Sequence, residues 1–254
     1  MVMTTPSTQD RALLKNWVMR ASIVPGVWGS GLDQLLQALR ATITERGTDG
    51  FPAAAIDTMM AARGKSLAAS EELIEAILDY EFGDGETFGV LAITFPHVNT
   101  RNIHHVDHIV PRAKLSRAAL RAAGMDEEEA VTLSALRDGL PNLELLEGPE
   151  NVAKNARMPL SWARDVFPTS AQYSAYLDRH ALPELIDDPA DFREFYEERR
   201  VLLRDRIRRA FGHHTPARAS RHEATTGEAT TGEVEGIPPL EESMETAGAA
   251  LQEE

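Results

Sequence analysis

Two short runs of strand-forming residues interrupt a sequence whose other periodic segments are helical. The first, residues 104–110, contains three β-branched residues and ends at Pro111, and the second, residues 142–146, ends at Gly148. Runs of this kind, bounded by proline or glycine, are typical of short strands. We therefore predict a mainly α fold of the α+β type, in which a small hairpin is embedded among helices.

Helical periodicity dominates the first hundred residues. Leu32, Leu35, Leu36 and Leu39 recur at the spacing of one helix face, and Ser70 is a suitable N-cap for a later helix. These patterns predict a helical region over residues 1–100.

Two details of this region give more specific expectations. Gly47 and Gly64 each follow an apolar periodic run, where a residue in the left-handed conformation commonly ends a helix. The run 88–95 is apolar throughout, and its periodicity fits a helix or a strand.

Further helices are expected around the two strands. Residues 116–123 and 126–137 predict two helices between the strands, and residues 149–155 predict one directly after the second strand. A last long helix should follow Asp188. Its late arginines, within 199–209, are expected on a solvated face that complements the helix dipole, with contact to a DNA backbone as the alternative.

Charge separates the end of the chain from the rest. The net charge is −14, and the nine Asp or Glu and one Arg from Arg221 onward supply −8 of it. Residues 213–254 include the repeat EATTGEATTGE and few large apolar side chains, so we expect a disordered acidic tail. The remaining charge is too small to exclude a nucleic-acid partner.

Composition also excludes several classes of protein. The chain has no cysteine, which excludes disulfide frameworks, cysteine-ligated zinc or iron–sulfur sites and thiol nucleophiles. No apolar run approaches the roughly 18 to 20 residues of a membrane span. The first residues lack the basic and apolar regions of a signal peptide, so we expect a cytoplasmic protein.

The residues around the two predicted strands carry the most specific functional signal. Asp107 and His108 end the first strand, Asn142 opens the second, and Asn151 lies on the predicted helix after it. A hairpin with this helix packed across it is expected to bring Asp107, His108 and Asn151 to one face. A carboxylate and an amide oxygen suit Mg²⁺, and a neutral imidazole can take a proton from water. Metal-assisted phosphodiester hydrolysis uses this combination.

The segments DHIVPRAKL (107–115) and NLELLEGPENVAK (142–154) resemble the HNH, or His-Me finger, endonuclease motif. They match its order and spacing in the Asp-His-Ile-x-Pro element, in the asparagine that opens the second strand and in the asparagine nine residues later. The resemblance implies a ββα-metal nuclease unit within residues 101–212, with Mg²⁺ or Mn²⁺ as cofactor and DNA as substrate.

The same resemblance implies a role for each matched residue. His108 would be the general base, and Asp107 and Asn151 would be metal ligands. Asn142 would brace the loop that orients His108, and Lys154 would approach a phosphate.

Three further residues near the motif are candidate contacts. Arg112 and Lys114 follow the first strand and are candidates for phosphate binding, with a solvated loop as the alternative. His105 lies two residues from Asp107 and therefore on the same strand face. It is a candidate for binding metal or phosphate, or for a structural hydrogen bond.

A narrower resemblance covers residues 10–210 and is carried by Leu14–Trp17, Trp28–Gly29, Ala62–Lys65 and Arg101–Asn102. These segments resemble the C-terminal half of GmrSD-type modification-dependent restriction enzymes, which have phosphorothioate-sensing Ssp nucleases as relatives in phage defence. Family members carry an N-terminal nucleotide-hydrolysing domain that this sequence does not display. We therefore expect a nuclease half that acts with such a domain or subunit on phage or modified DNA.

Two other interpretations compete with the nuclease. The chain could be a catalytically silent helical interaction module that retains an HNH scaffold. It could also be a transition-metal hydrolase using His104, His105 and His108. Adjacent strand residues point to opposite faces, which disfavours such a nitrogen-rich site on one strand.

Overall fold

The computed structural model describes residues 6–99, 102–147 and 154–212. Within these ranges the chain is mainly helical, with one two-stranded sheet, as the sequence predicts. In chain order the elements are α1 (Thr8–Ile23), α2 (Leu32–Arg46), α3 (Ala53–Ala62), α4 (Glu71–Leu78), α5 (Thr87–Thr94), β1 (His104–His108), α6 (Arg117–Ala122), α7 (Glu127–Leu136), β2 (Leu143–Glu147), α8 (Pro159–Val166), α9 (Ser170–His180) and α10 (Phe192–Phe211).

Local hydrogen bonds define where several helices begin. The Ser70 side chain accepts from the backbone N–H of Leu73 at the start of α4, as its predicted N-cap role requires. Asp126 accepts from the N–H of Glu129 at the start of α7. These caps satisfy backbone donors that have no partner inside the helix, so the helices begin at these residues.

The apolar run 88–95 belongs mostly to helix α5. Six of the eight residues of α5 are buried, because the helix packs against α1, β2 and α10 and has apolar neighbours on most sides. An element buried on most sides has no polar face, which explains why its periodicity did not distinguish helix from strand. Gly64 has the expected positive φ, +69°, but Gly47 has a φ of −94°, so the prediction of a left-handed residue there is wrong.

Strands β1 and β2 pair in an antiparallel register that runs from His104 opposite Glu147 to His108 opposite Leu143. This pairing confirms the predicted hairpin, with the second strand displaced by one residue. Helices α6 and α7 lie in the long connection between the strands. The pairing brings Asp107 opposite Glu144, two acidic side chains on one face of the sheet.

The hairpin is built into the same hydrophobic core as the helices that precede it. One cluster of buried residues draws on α4, α5, β2 and α10, so the sequence boundary at residues 100 and 101 does not separate two cores. Its members include Ile74, Leu91, Leu143, Leu145, Leu203 and Phe211. Helix α10 packs on α4, on α5 and on residues 140–142 directly before β2. It therefore fixes the hairpin relative to the loop between α4 and α5.

Two predicted segments lie mostly or wholly outside the described residues. Most of the helix predicted at 149–155 lies outside the described residues, and so does the tail, 213–254. No helix in the described ranges combines the length and apolar character needed to cross a bilayer.

Candidate active site

The loop after β1 is fixed by one buried side chain, that of Asn142. Its Oδ1 accepts from the N–H of Val110 at 2.9 Å, and its Nδ2 donates to the carbonyls of Val110 at 3.0 Å and Arg137 at 2.7 Å. The Asn142 carbonyl also accepts from the N–H of Ile109 at 2.8 Å. Three of these bonds tie Ile109 and Val110, directly after His108, to the start of β2, and the fourth ties Asn142 to Arg137, so Asn142 is placed where it can brace the loop.

His108 ends β1, and its side chain is largely buried. Its side chain is 8% exposed, and its Nε2 lies 2.8 Å from Oδ1 of Asp138. Burial lowers the pKa of His108, although the hydrogen bond to Asp138 acts in the opposite direction. The imidazole is therefore neutral at pH 7. Because a carboxylate only accepts hydrogen bonds, Nε2 carries the proton and Nδ1 is the basic nitrogen.

Asp138 is the shared partner of three side chains at this site. Arg112 binds it through both ends of its guanidinium fork, with Nε 2.9 Å from Oδ1 and Nη2 3.1 Å from Oδ2. Arg137 donates to Oδ2 at 3.1 Å. Burial would raise the pKa of Asp138, but its bonds to His108 and Arg137 and the charge of Arg112 hold that pKa below its ordinary value. Asp138 is therefore ionised and orients the imidazole.

Phe82 forms the wall of the pocket beside His108. Its ring centroid lies 4.8 Å from that of His108, and the guanidinium of Arg112 lies 5.8 Å from the same ring. The backbone N–H of Phe82 donates to the carbonyl of Asp138 at 2.7 Å. The loop between α4 and α5 thus contributes directly to the site, although it lies far from the motif in sequence.

The Asp107 side is organised around a buried ammonium. Lys154, 1% exposed, donates to Oδ2 of Asp107 at 2.7 Å, to Oε1 of Glu144 at 2.8 Å and to the carbonyl of His108 at 2.7 Å. An ammonium has three donors, and these three acceptors use all of them. Lys154 therefore has no donor left for the phosphate contact that the sequence predicted. It is instead an internal counter-ion of two carboxylates.

Glu144 connects this ammonium to the interior. Its Oε2 accepts from the hydroxyl of Tyr176 at 3.3 Å and lies 4.0 Å from Nδ1 of His180. Burial would raise the pKa of Glu144, but the charge of Lys154 holds it below its ordinary value. Arg199, whose pKa burial lowers to about 10, remains protonated and contributes in the same direction. The buried Glu144 thus has two buried cations, Lys154 and Arg199, close to it.

The fold brings only some of the predicted site residues close to one another. Asp107 faces Lys154, whereas His108 faces Asp138, so these two residues do not share one face as expected, because successive strand residues alternate. His105 shares the face of Asp107 and is exposed, and Lys114 is exposed in the loop after β1. Asn151, the second expected metal ligand, lies outside the described residues.

The donors on the Asp107 side are compatible in type with a hard cation. The side chain of Asp107 is 22% exposed, and Lys154 bonds to Oδ2, one of its two carboxylate oxygens. Carboxylate oxygen is the ligand that Mg²⁺ and Mn²⁺ prefer. Within residues 6–99, 102–147 and 154–212, no three His, Asp or Glu side chains are grouped so that they could hold a metal ion.

Sequence reasoning missed Asp138, Glu144 and Phe82. Asp138 lies in the connection between α7 and β2, and only its position before Asn142 hints at a role. No local signal in the sequence indicates the other two. No family model matches this chain, and no curated protein matches it.

Proposed function

We propose that this chain is a metal-dependent DNA endonuclease in which His108 activates the attacking water. The observation that supports this most strongly is the hydrogen bond between His108 and Asp138, on an imidazole that its burial keeps neutral. A neutral imidazole with one fixed tautomer, at the end of a braced strand, is what a general base requires. Asp107 is the preceding residue of the strand and supplies a carboxylate on its other face.

The proton has a defined path in this proposal. Nδ1 of His108 accepts a proton from a water aligned with the scissile phosphorus. The Asp138 carboxylate then stabilises the imidazolium through Nε2–H, because the opposite charges are 2.8 Å apart. Attack by that water gives products with 5′-phosphate and 3′-hydroxyl ends.

The carboxylate of Asp107 and the amide oxygen of Asn151 would hold Mg²⁺ or Mn²⁺. When bound, a divalent cation stabilises the negative charge that develops on the phosphate and the leaving oxygen. Lys154 holds Asp107 in place through Oδ2. Because the Lys154 ammonium already neutralises part of the Asp107 charge, we expect weak metal binding that the substrate phosphate completes.

DNA is the proposed substrate because cationic and aromatic side chains surround His108. Half of the Arg112 side chain is exposed, and Lys114 is exposed nearby. Such residues bind phosphates without reading the sequence. By resemblance, the substrate is phage or modified DNA and a separate nucleotide-hydrolysing domain or subunit regulates cleavage, as in a restriction system.

Nicking of supercoiled plasmid tests this function. We expect cleavage with Mg²⁺ or Mn²⁺ that chelation abolishes, and a loss of about 10²- to 10⁴-fold in His108→Ala, the size of a general-base effect. His104→Ala is the matched control, since it removes an imidazole from the other end of the same strand. Equal rates for His108→Ala and wild type would reject the proposal.

A silent interaction module is the second candidate function, and one observation favours it. Leu14 and Val18 on α1 and Leu36 and Ile43 on α2 are large apolar residues that are between 44% and 48% exposed. Exposed apolar side chains mark a protein-binding face where they form one contiguous patch. Absence of metal-dependent nicking, together with a stable complex through these helices, would favour the module over the enzyme.

A further inference from the structure

Phe82 is an exposed aromatic residue placed against the proposed base. It is 43% exposed, although its ring lies 4.8 Å from the imidazole of His108. Its backbone is held in place by its own N–H bond to Asp138, and by the N–H of Leu140, which donates to Tyr80 at 2.8 Å. A large apolar ring in so rigid a position is suited to contact a ligand.

One face of this ring is already covered. His108 and Arg112 both contact the ring, and both bond to the same oxygen of Asp138, at 2.8 and 2.9 Å. Two groups bonded to one oxygen are too close together to lie on opposite faces of a phenyl ring. They therefore do not lie on opposite faces, so one face of Phe82 has neither contact, and the residue is 43% exposed.

The charge of the turn that carries Phe82 disfavours phosphate binding there. The turn that carries Phe82 also carries Glu81, Asp84 and Glu86, all of them exposed. Three carboxylates repel a phosphate, whereas the cationic Arg112 lies on the His108 side of the ring. The part of a nucleotide that fits over Phe82 is therefore the uncharged base, with its phosphate directed towards His108.

We propose that Phe82 stacks on an unpaired nucleobase next to the scissile phosphate, so that the preferred substrate is DNA with an unstacked nucleotide. This inference rests on the proposed nuclease function and names the substrate class of the same site. A base inside a duplex has both faces covered by its neighbours, whereas a single strand, bubble or flap offers a free face. Stacking on aromatic side chains binds such bases without regard to sequence.

The test compares cleavage of one sequence as a single strand and as a duplex. Phe82→Ala should lower the ratio of the two rates about tenfold, the size of one stacking interaction, and Phe82→Trp should keep it. Phe88→Ala, which removes another exposed phenylalanine, should leave the ratio unchanged. If Phe82 only supported His108, Phe82→Ala would slow both substrates equally, and an unchanged ratio would overturn the inference.

A binding measurement separates this inference from the proposed function. The probe is a single-stranded oligonucleotide with a fluorescent adenine analogue whose emission falls on stacking. Quenching by the full-length wild type that is lost in Phe82→Ala supports the inference, even if no cleavage is found. In that case only the nuclease proposal fails. Equal quenching by both proteins, or none by the wild type, overturns the inference.

Discussion

Asp107 and His108 are consecutive in the chain, yet the two faces of β1 give them opposite surroundings. Asp107 is turned towards Lys154, which is 1% exposed and is shared with the equally buried Glu144. His108 is turned towards Asp138, which is 21% exposed, and towards Phe82, which is 43% exposed. We call the Asp107 side, whose partners Lys154 and Glu144 are fully buried, the closed face, and the His108 side, whose partners Asp138 and Phe82 are partly exposed, the open face.

This difference assigns different tasks to the two faces. Charges on the closed face are compensated inside the protein, so removing one of them leaves a buried charge without a partner. Groups on the open face are partly hydrated, so removing one changes the chemistry of His108 more than the folding free energy. The following predictions test this division, beginning with the largest effect.

Lys154→Met should destabilise the closed face strongly. It leaves Glu144 as a buried carboxylate without its nearest cation, which costs about 3–5 kcal/mol in the free energy of unfolding. Urea denaturation measures this change. Lys114→Met is the control, and as an exposed substitution it should stay within about 0.5 kcal/mol of the wild type.

The double variant Lys154→Met/Glu144→Leu sharpens this prediction. Because it removes both members of the buried pair, it should recover most of the stability lost in Lys154→Met. A double variant as unstable as the single one would mean that the loss comes from packing, and the closed face would not be held by charge.

Acid should also act on the closed face, through His180. Burial lowers the pKa of His180 to about 4, below its ordinary value of 6.5. The unfolded state therefore binds the proton more readily, so this contribution to stability is complete above pH 6.5 and is lost as the pH falls towards 4. The loss from His180 should reach about 2 kcal/mol at pH 5.

Thermal or urea unfolding between pH 7 and pH 5 tests this in His180→Gln. Because glutamine does not titrate, this variant should show a weaker pH dependence than the wild type. His105→Gln, which replaces an exposed histidine of β1, should retain the wild-type slope. An unchanged slope in His180→Gln would contradict the closed environment of that residue.

Asp138→Asn should have the smallest effect on stability. Asp138 is partly exposed and its cations remain hydrated, so we expect a change below about 1 kcal/mol. Cleavage should nevertheless slow by about 10- to 100-fold, because an amide no longer imposes one tautomer on His108. A variant with unaltered nicking and a large loss of stability would reverse the assignment of the two faces.

Local signals in the sequence were sufficient for much of the fold. The capping side chain of Ser70 and the β-branched run ending at Pro111 act through neighbouring residues, so their elements could be predicted. The run 88–95 could not, because burial on most sides removes the polar face on which periodicity depends. Gly47 also differed, since its helix ends without a left-handed residue.

The sequence predicted which residues belong to the candidate site, but not how their side chains contact one another. The motif includes Lys154, but its burial between Asp107 and Glu144 depends on how the following segment packs, which spacing does not encode. The contacts of the α10 arginines could not be predicted for the same reason. Arg204 and Arg208 pair with acidic residues of α4, so tertiary contacts replace the solvated face that their pattern predicted.

The pH dependence of single-turnover DNA cleavage tests most directly that His108 is a base held neutral by its surroundings. Because burial lowers the pKa of His108, the fall in rate towards acid pH should be centred below pH 6.5. Asp138 raises that pKa, so Asp138→Asn should shift the fall to still lower pH. A fall centred at or above pH 6.5, or one that Asp138→Asn leaves in place, would contradict the account.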